Sequence, residues 1–162
     1  MKRAKARIRT PLPGDYGRVV ALHGALYARE FGYDAHFEAL VARIVAGFIG
    51  KLDAKRERCW IADLGGEVVG SVFLVRQGKS TAKLRLLIVH PKARGLGLGR
   101  RLTRACIAFA RRKGYRRIVL WTQSHLAAAR AIYESENFRM KSRKKHLSFG
   151  KRLVAETWEL RL

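Results

Sequence analysis

The segment Val89-His90-Pro91-Lys92-Ala93-Arg94-Gly95-Leu96-Gly97-Leu98-Gly99-Arg100-Arg101 concentrates the residue types that bind anions. Glycines at every second position let main-chain N–H groups gather around a phosphate without interference from Cβ atoms. A helix that opens at Leu98 would present its first N–H groups, with their partial positive charge, to the same point. Arg94, Arg100 and Arg101 add full charges there. Diphosphate binding is the chemistry this arrangement suits. Two common phosphate motifs do not fit. A Walker loop needs Gly-Lys-Ser or Gly-Lys-Thr at the turn, which is missing here. The dinucleotide fingerprint G-x-G-x-x-G would require glycine at position 100 or 102, where Arg100 and Leu102 stand. The chain before it also reads as a β-hairpin rather than the opening of a βαβ unit.

Charge agrees with an anionic partner and does not choose one. Lys and Arg number 35 against 12 Asp and Glu, a formal net charge of +23. Such a surface attracts nucleic acid and phosphate-bearing cofactors alike. The basic runs Arg111-Arg112-Lys113, Arg116-Arg117 and Lys141 to Lys145 come without helix-turn-helix, RNP or zinc-finger spacing, so they read as solvated faces. No specific nucleic-acid partner is expected. Cys59 and Cys106 lie far apart in apolar segments with no C-x-x-C pair, which predicts buried free thiols and no metal centre. Cysteine usage of this kind fits a reducing compartment, so a cytoplasmic location is expected.

These residues need a scaffold. The 162 residues and their 48% hydrophobic content, spread along the whole length, predict one domain over residues 1–162. No stretch approaches the roughly 18 apolar residues of a membrane span, and Met1-Lys2-Arg3 leads into further basic residues rather than a signal core. No membrane association is expected. Met1 to Arg7 leads into a short strand at Ile8 to Thr10, before Pro11 and Pro13. Helical spacing follows over Tyr16 to Glu30, with Gly14-Asp15 as its cap, and over Phe37 to about Gly50. Arg58 to Leu64 and Val68 to Gln77 flank Gly65-Gly66 as an antiparallel hairpin, and Lys83 to Val89 adds a strand. Leu98 to Lys113 is a helix, Arg117 to Trp121 a strand and Leu126 to Glu136 a helix. A weak strand near Phe138 to Arg143 and an alternating one over Leu153 to Leu160 close the chain. The order is β-α-α-β-β-β-α-β-α-β-β, an α/β (α+β) chain with about four helices.

Arg94-x-x-Gly97-x-Gly99 resembles the R/Q-x-x-G-x-G/A acetyl-CoA signature of the GNAT acetyltransferases. The preceding Leu87-x-Val89-x-Pro91 and the later Ala129-Arg130-x-x-Tyr133-x-x-x-x-Phe138 fall where that family places them. Together they cover about the second half of the chain. In the first half, His23-Gly24-Ala25-Leu26-Tyr27-Ala28-Arg29-Glu30 resembles the acetyltransferase half of MarR–GNAT fusions. The domain is expected to stand alone, without the regulator.

The resemblance implies a GNAT fold with a mixed, mostly antiparallel sheet. It implies acetyl-CoA as co-substrate, no metal, and acetyl transfer to a primary amine of a small molecule or peptide. The strand Leu87-Ile88-Val89 would splay from Arg117 to Trp121 and leave main-chain groups for the pantetheine and the carbonyl oxygen. Main-chain N–H groups of Arg94, Gly95, Leu96, Gly97, Leu98, Gly99 and Arg100 would hold the diphosphate. Tyr133 would be the acid that protonates the departing thiolate. Ser124 falls near the place of a pantetheine-binding Asn in many relatives, and Asn137 stands where the family commonly has Gly, a change the left-handed region tolerates. Glu30, His36 and His146 are candidate bases. Many relatives are dimers, so a homodimer fits. The other readings are a catalytically silent acyl-CoA binder and a polyanion- or nucleic-acid-binding protein.

Overall fold

The computed structural model describes residues 4–162, so Met1 to Arg3 of the basic leader lie outside the described residues. The elements are β1 (Ala6–Arg9), α1 (Asp15–Phe31), α2 (Ala35–Gly50), β2 (Arg58–Leu64), β3 (Glu67–Arg76), β4 (Thr81–Val89), α3 (Leu98–Arg112), β5 (Arg117–Gln123), α4 (Ala127–Ser135), β6 (Arg139–Ser148) and β7 (Lys151–Arg161). A single 3-10 turn at Pro91–Ala93 separates β4 from α3. The strands form one seven-stranded sheet in the order β1-β2-β3-β4-β5-β7-β6. Every pairing is antiparallel except β4 with β5. This is the mixed, mostly antiparallel sheet with four helices that the resemblance implies, and the element order matches the expectation.

The alternation of side chains along the strands divides the core in two. Trp60, Leu74, Leu84, Leu120 and Trp158 meet α3 and α4 on one face, around Leu98, Leu102, Cys106 and Phe109. Cys59, Ile61 and Phe73 meet α1 and α2 on the other, around Val19, Val41, Val45 and Phe48. The hairpin between β2 and β3 turns on Gly65 and Gly66, both with positive φ, as a two-residue turn with this twist requires.

Two local expectations are refined. Of the Gly14-Asp15 pair, Gly14 is the N-cap of α1 and Asp15 its first residue, whose carboxylate accepts from Leu12 N and from Arg9. The strand expected near Phe138 to Arg143 runs as β6 from Arg139 to Ser148, an exposed edge strand whose Lys and Arg carry no apolar alternation. Trp121 lies on β5 within the sheet, with 68% of its surface exposed, unlike the buried Trp60 and Trp158.

Candidate active site

Pairing between β4 and β5 runs from Thr81↔Arg117 to Leu84↔Leu120 and stops there. Beyond it β4 stays on β3 while β5 stays on β7 as far as Gln123↔Ala155, so the two parallel strands part company. A bulge drives the separation. Phe73 faces Arg85 and Ser71 faces Ile88, which puts one extra residue into β4, and Leu86 takes φ +52. Ser71 Oγ donates to Leu86 O at 2.9 Å and pins the bulge.

A cleft of about 630 Å³ opens at this split. Leu87, Ile88 and Val89 line it from β4, and Arg94, Gly95, Gly97, Leu98, Gly99 and Arg100 line it from the turn and the start of α3. Gly95 and Gly97 have φ of +79 and +72, a conformation that L side chains adopt at a cost of roughly 1–2 kcal/mol. The turn therefore presents main-chain groups, and the first N–H groups of α3 have no partner within the helix. Leu96 is exposed on the outside of the turn rather than in the cleft wall. Arg94 Nη2 meets Glu30 Oε1 of α1 at 2.8 Å across the mouth. Arg100 lies 3.8 Å from Glu136, which Arg104 also binds at 2.7 Å.

Of the other candidates, Ser124 does not line the cleft. Its N–H donates to Val154 O at 2.8 Å, and the wall from the β5–α4 loop begins at His125. Tyr133 is buried under α4 against Phe138 and Trp158 and lines a second cavity of about 140 Å³. Burial, then Tyr27 and Cys106, pushes its phenol well above the ordinary range, so it holds its proton at neutral pH. Tyr27, Leu87, Leu126 and Ala129 line both cavities, which places them on either side of the strand split. Asn137 holds φ +69, as the departure from glycine requires.

The three candidate bases are dispersed. Glu30 is in the cleft and engaged by Arg94. His36 is exposed beside Asp34. His146 on β6 is held between Ser148 Oγ and Gln123 Oε1, each at 2.9 Å. The sequence reading did not single out His125 and Tyr33, whose Nε2 and Oη share a 2.7 Å hydrogen bond. Burial lowers the pKa of His125 and raises that of Tyr33, so both are neutral near pH 7. They are 92 residues apart and no periodic pattern links them.

A model of the Acetyltransferase (GNAT) family matches residues 24–138. Mycothiol acetyltransferase of Beutenbergia cavernae is 30% identical over 143 residues, 82% of this chain and 48% of that protein. N-acetylaspartate synthetase of Danio rerio is 40% identical over 81 residues, 49% of this chain and 29% of that protein. The chain thus spans less than half the length of these relatives. Among solved structures, an N-acetyltransferase of Staphylococcus aureus Mu50 superposes with a TM-score of 0.80 at 21% identity, covering 98% of this chain and 99% of the other. The structure of yncA from Salmonella typhimurium with its cofactor acetyl-CoA gives 0.79 at 20% identity, covering 98% and 95%. The family match covers the strand split, the glycine turn and Tyr133 together, and the chain belongs to the acetyltransferase (GNAT) family.

Proposed function

We propose that the chain is an acetyl-CoA-dependent N-acetyltransferase. It would acetylate a primary amine of a small molecule or peptide by direct attack, with Tyr133 as general acid. One observation carries this reading: the glycine turn, the unpaired end of β4 and Tyr133 converge on two cavities that share Tyr27, Leu87, Leu126 and Ala129. The main-chain cradle fits a diphosphate, since at Gly95 and Gly97 the backbone is left-handed and carries no Cβ. Main-chain groups of Gly95 to Arg100 would hold the diphosphate, and those of Leu87 to Val89 would line the thioester. Acetyl-CoA supplies the acyl group when bound.

Tyr133 Oη then holds the proton that the leaving sulfur needs. His125, neutral and hydrogen-bonded to Tyr33 at the edge of the cleft, would take the proton from the amine. Ser124 would contribute only through the loop it anchors. The relatives named for mycothiol and N-acetylaspartate support a small amine acceptor. Residues 1–162 would act as one cytoplasmic domain, and no helix among the described residues is long and apolar enough to cross a membrane.

The test is calorimetric titration with acetyl-CoA, CoA and ATP at moderate salt, followed by turnover on an amine panel. Acetyl-CoA should bind much more tightly than ATP. Tyr133→Phe should cut turnover by about 10²-fold or more and leave acetyl-CoA affinity unchanged. Absence of acetyl-CoA binding defeats the proposal. Binding without turnover on any amine would favour a silent acyl-CoA binder.

A further inference from the structure

Arg85 leaves β4 at the bulge and lines the 140 Å³ cavity, two residues before Leu87, which faces both cavities. It is half-buried, and among the described residues no carboxylate lies within ion-pairing distance of its guanidinium. Half-buried Arg56, Arg58, Lys83 and Lys113 also lack a carboxylate, but Arg56 donates to Lys79 O and the other three stand against aromatic rings, whereas Arg85 has no such partner among the described residues. Arg9, comparably sheltered, is held by Asp15 and Asp63, and Arg130 by Glu156. A sheltered cation without a counter-charge is costly, because burial removes water and nothing replaces it. Burial accordingly lowers the pKa of Arg85, with no acidic neighbour acting against it.

The surroundings repeat this bias. The cavity lining contains no Asp or Glu. Lys83 lies on the same face two residues earlier, with Nζ 5.3 Å from the ring centre of Trp121, whose exposed indole forms part of the cavity wall. His23 lines the cavity as well; its Nδ1 donates to Val19 O, so the buried, unpartnered Nε2 is a neutral acceptor that adds no negative charge to the wall. A purely cationic acceptor such as a polyamine would meet like charge here. An acceptor with a negative group would complete the missing pair.

We propose that this cavity binds the acceptor amine through an anionic group that the amine carries, a carboxylate or phosphate, with Arg85 as the residue that binds it. The inference rests on the acetyltransferase reading above and gives its substrate class: small amphoteric amines such as amino acids or phosphoamines.

The test measures CoA release by the purified full chain on matched acceptors: L-leucine against isoamylamine, O-phosphoethanolamine against ethanolamine, and spermidine. At least one anionic member should exceed its neutral partner by about tenfold or more in kcat/KM, and the pair that does so tells carboxylate from phosphate. Arg85→Met should raise KM for that acceptor by about 30-fold or more, as loss of one partner of a desolvated charge pair does. It should leave KM for acetyl-CoA and for the neutral amine nearly unchanged, and Arg85→Lys should restore part of the loss. The preference of the unmodified chain is informative even if Arg85→Met fails to fold. A preference for neutral amines or spermidine overturns the inference and leaves the acetyltransferase reading standing. So does an equal loss on both members of a pair. Acetyl-CoA binding with no member of the panel acetylated also overturns it, whereas absence of acetyl-CoA binding overturns the acetyltransferase reading itself.

Discussion

Gly70 sits on β3 opposite Val89, beside the bulge that opens the cleft. A Cβ there would lie 2.7 Å from Ile88 O, and since ordinary contact starts near 3.4 Å, one strand would have to retreat by about 0.7 Å. Neither strand retreats easily. His90 N donates to Val69 O at 2.7 Å and Ser71 Oγ to Leu86 O at 2.9 Å, so main-chain contacts are fixed on both sides of Gly70. Ala62 Cβ at 3.3 Å and Leu102 Cδ1 at 3.6 Å close the remaining space. Overpacking of this kind costs about 1–3 kcal/mol. The alanine recovers about 0.4–1 kcal/mol by restricting the unfolded chain. Taking the middle of each range, the net loss for Gly70→Ala is about 1.3 kcal/mol, a fall in Tm of about 3–5 °C for a chain of this size.

Because the displaced atom belongs to Ile88, the same change should weaken acetyl-CoA binding. Gly47→Ala in α2 is the matched control. Its Cβ meets nothing within 4 Å, so helix propensity alone decides, and stability should rise by about 0.5–1 kcal/mol. Thermal unfolding followed by circular dichroism, with acetyl-CoA calorimetry on both variants, gives the answer. If Gly70→Ala melts at or above the unmodified chain and binds acetyl-CoA equally well, the strand contact does not shape the cleft and the reasoning fails.

Two further outcomes join those for Tyr133 and Arg85. Burial pushes the His23 pKa down to about 4, against the hydrogen bond with Val19 O, so its folded-state value lies below the unfolded 6.5. The stability it contributes is then complete above pH 6.5 and lost as pH falls toward 4, by up to about 3 kcal/mol. His23→Leu should flatten the stability profile across that window, and parallel profiles would refute the assignment. Arg130 on α4 donates to the fully buried Glu156 of β7 at 2.9 Å, while Arg143 Nε stands 3.3 Å from the other carboxylate oxygen. Arg130→Met should cost about 2–3 kcal/mol, somewhat below the usual cost of breaking a buried pair because Arg143 remains. A Tm within about 2 °C of the unmodified chain would show that Arg143 alone suffices.

Particular residues explain what could be read before the structure. Leu98, Leu102, Cys106, Phe109 and Ala110 recur at helical spacing and all are buried on α3. The hairpin at Gly65-Gly66 is set by local turn chemistry, and β2 and β3 pair across it from Leu64↔Glu67. The strand most under-read was β6, where hydrophobic patterning is silent because an edge strand of Lys and Arg solvates both faces. Ser124 lies outside the cleft wall for a different reason. Its amide completes the ladder to β7, and one residue later the chain turns away from the sheet into the wall.

The two halves of the candidate site differ in legibility because they differ in what does the binding. A main-chain cradle needs glycines at fixed spacing before a helix, so its requirement is written within a few consecutive residues. The proposed acceptor cavity is lined by side chains from Arg85, Trp121, His23, Tyr33 and Phe149, drawn from strands, helix and loops. The sheet order places β4 and β5 together, and only the bulge at Leu86 decides which β4 side chains reach the cavity. Arg85 in a basic strand of a chain with net charge +23 looks like one more solvated cation. Its meaning depends on the carboxylates that are not near it, and that is a property of the fold.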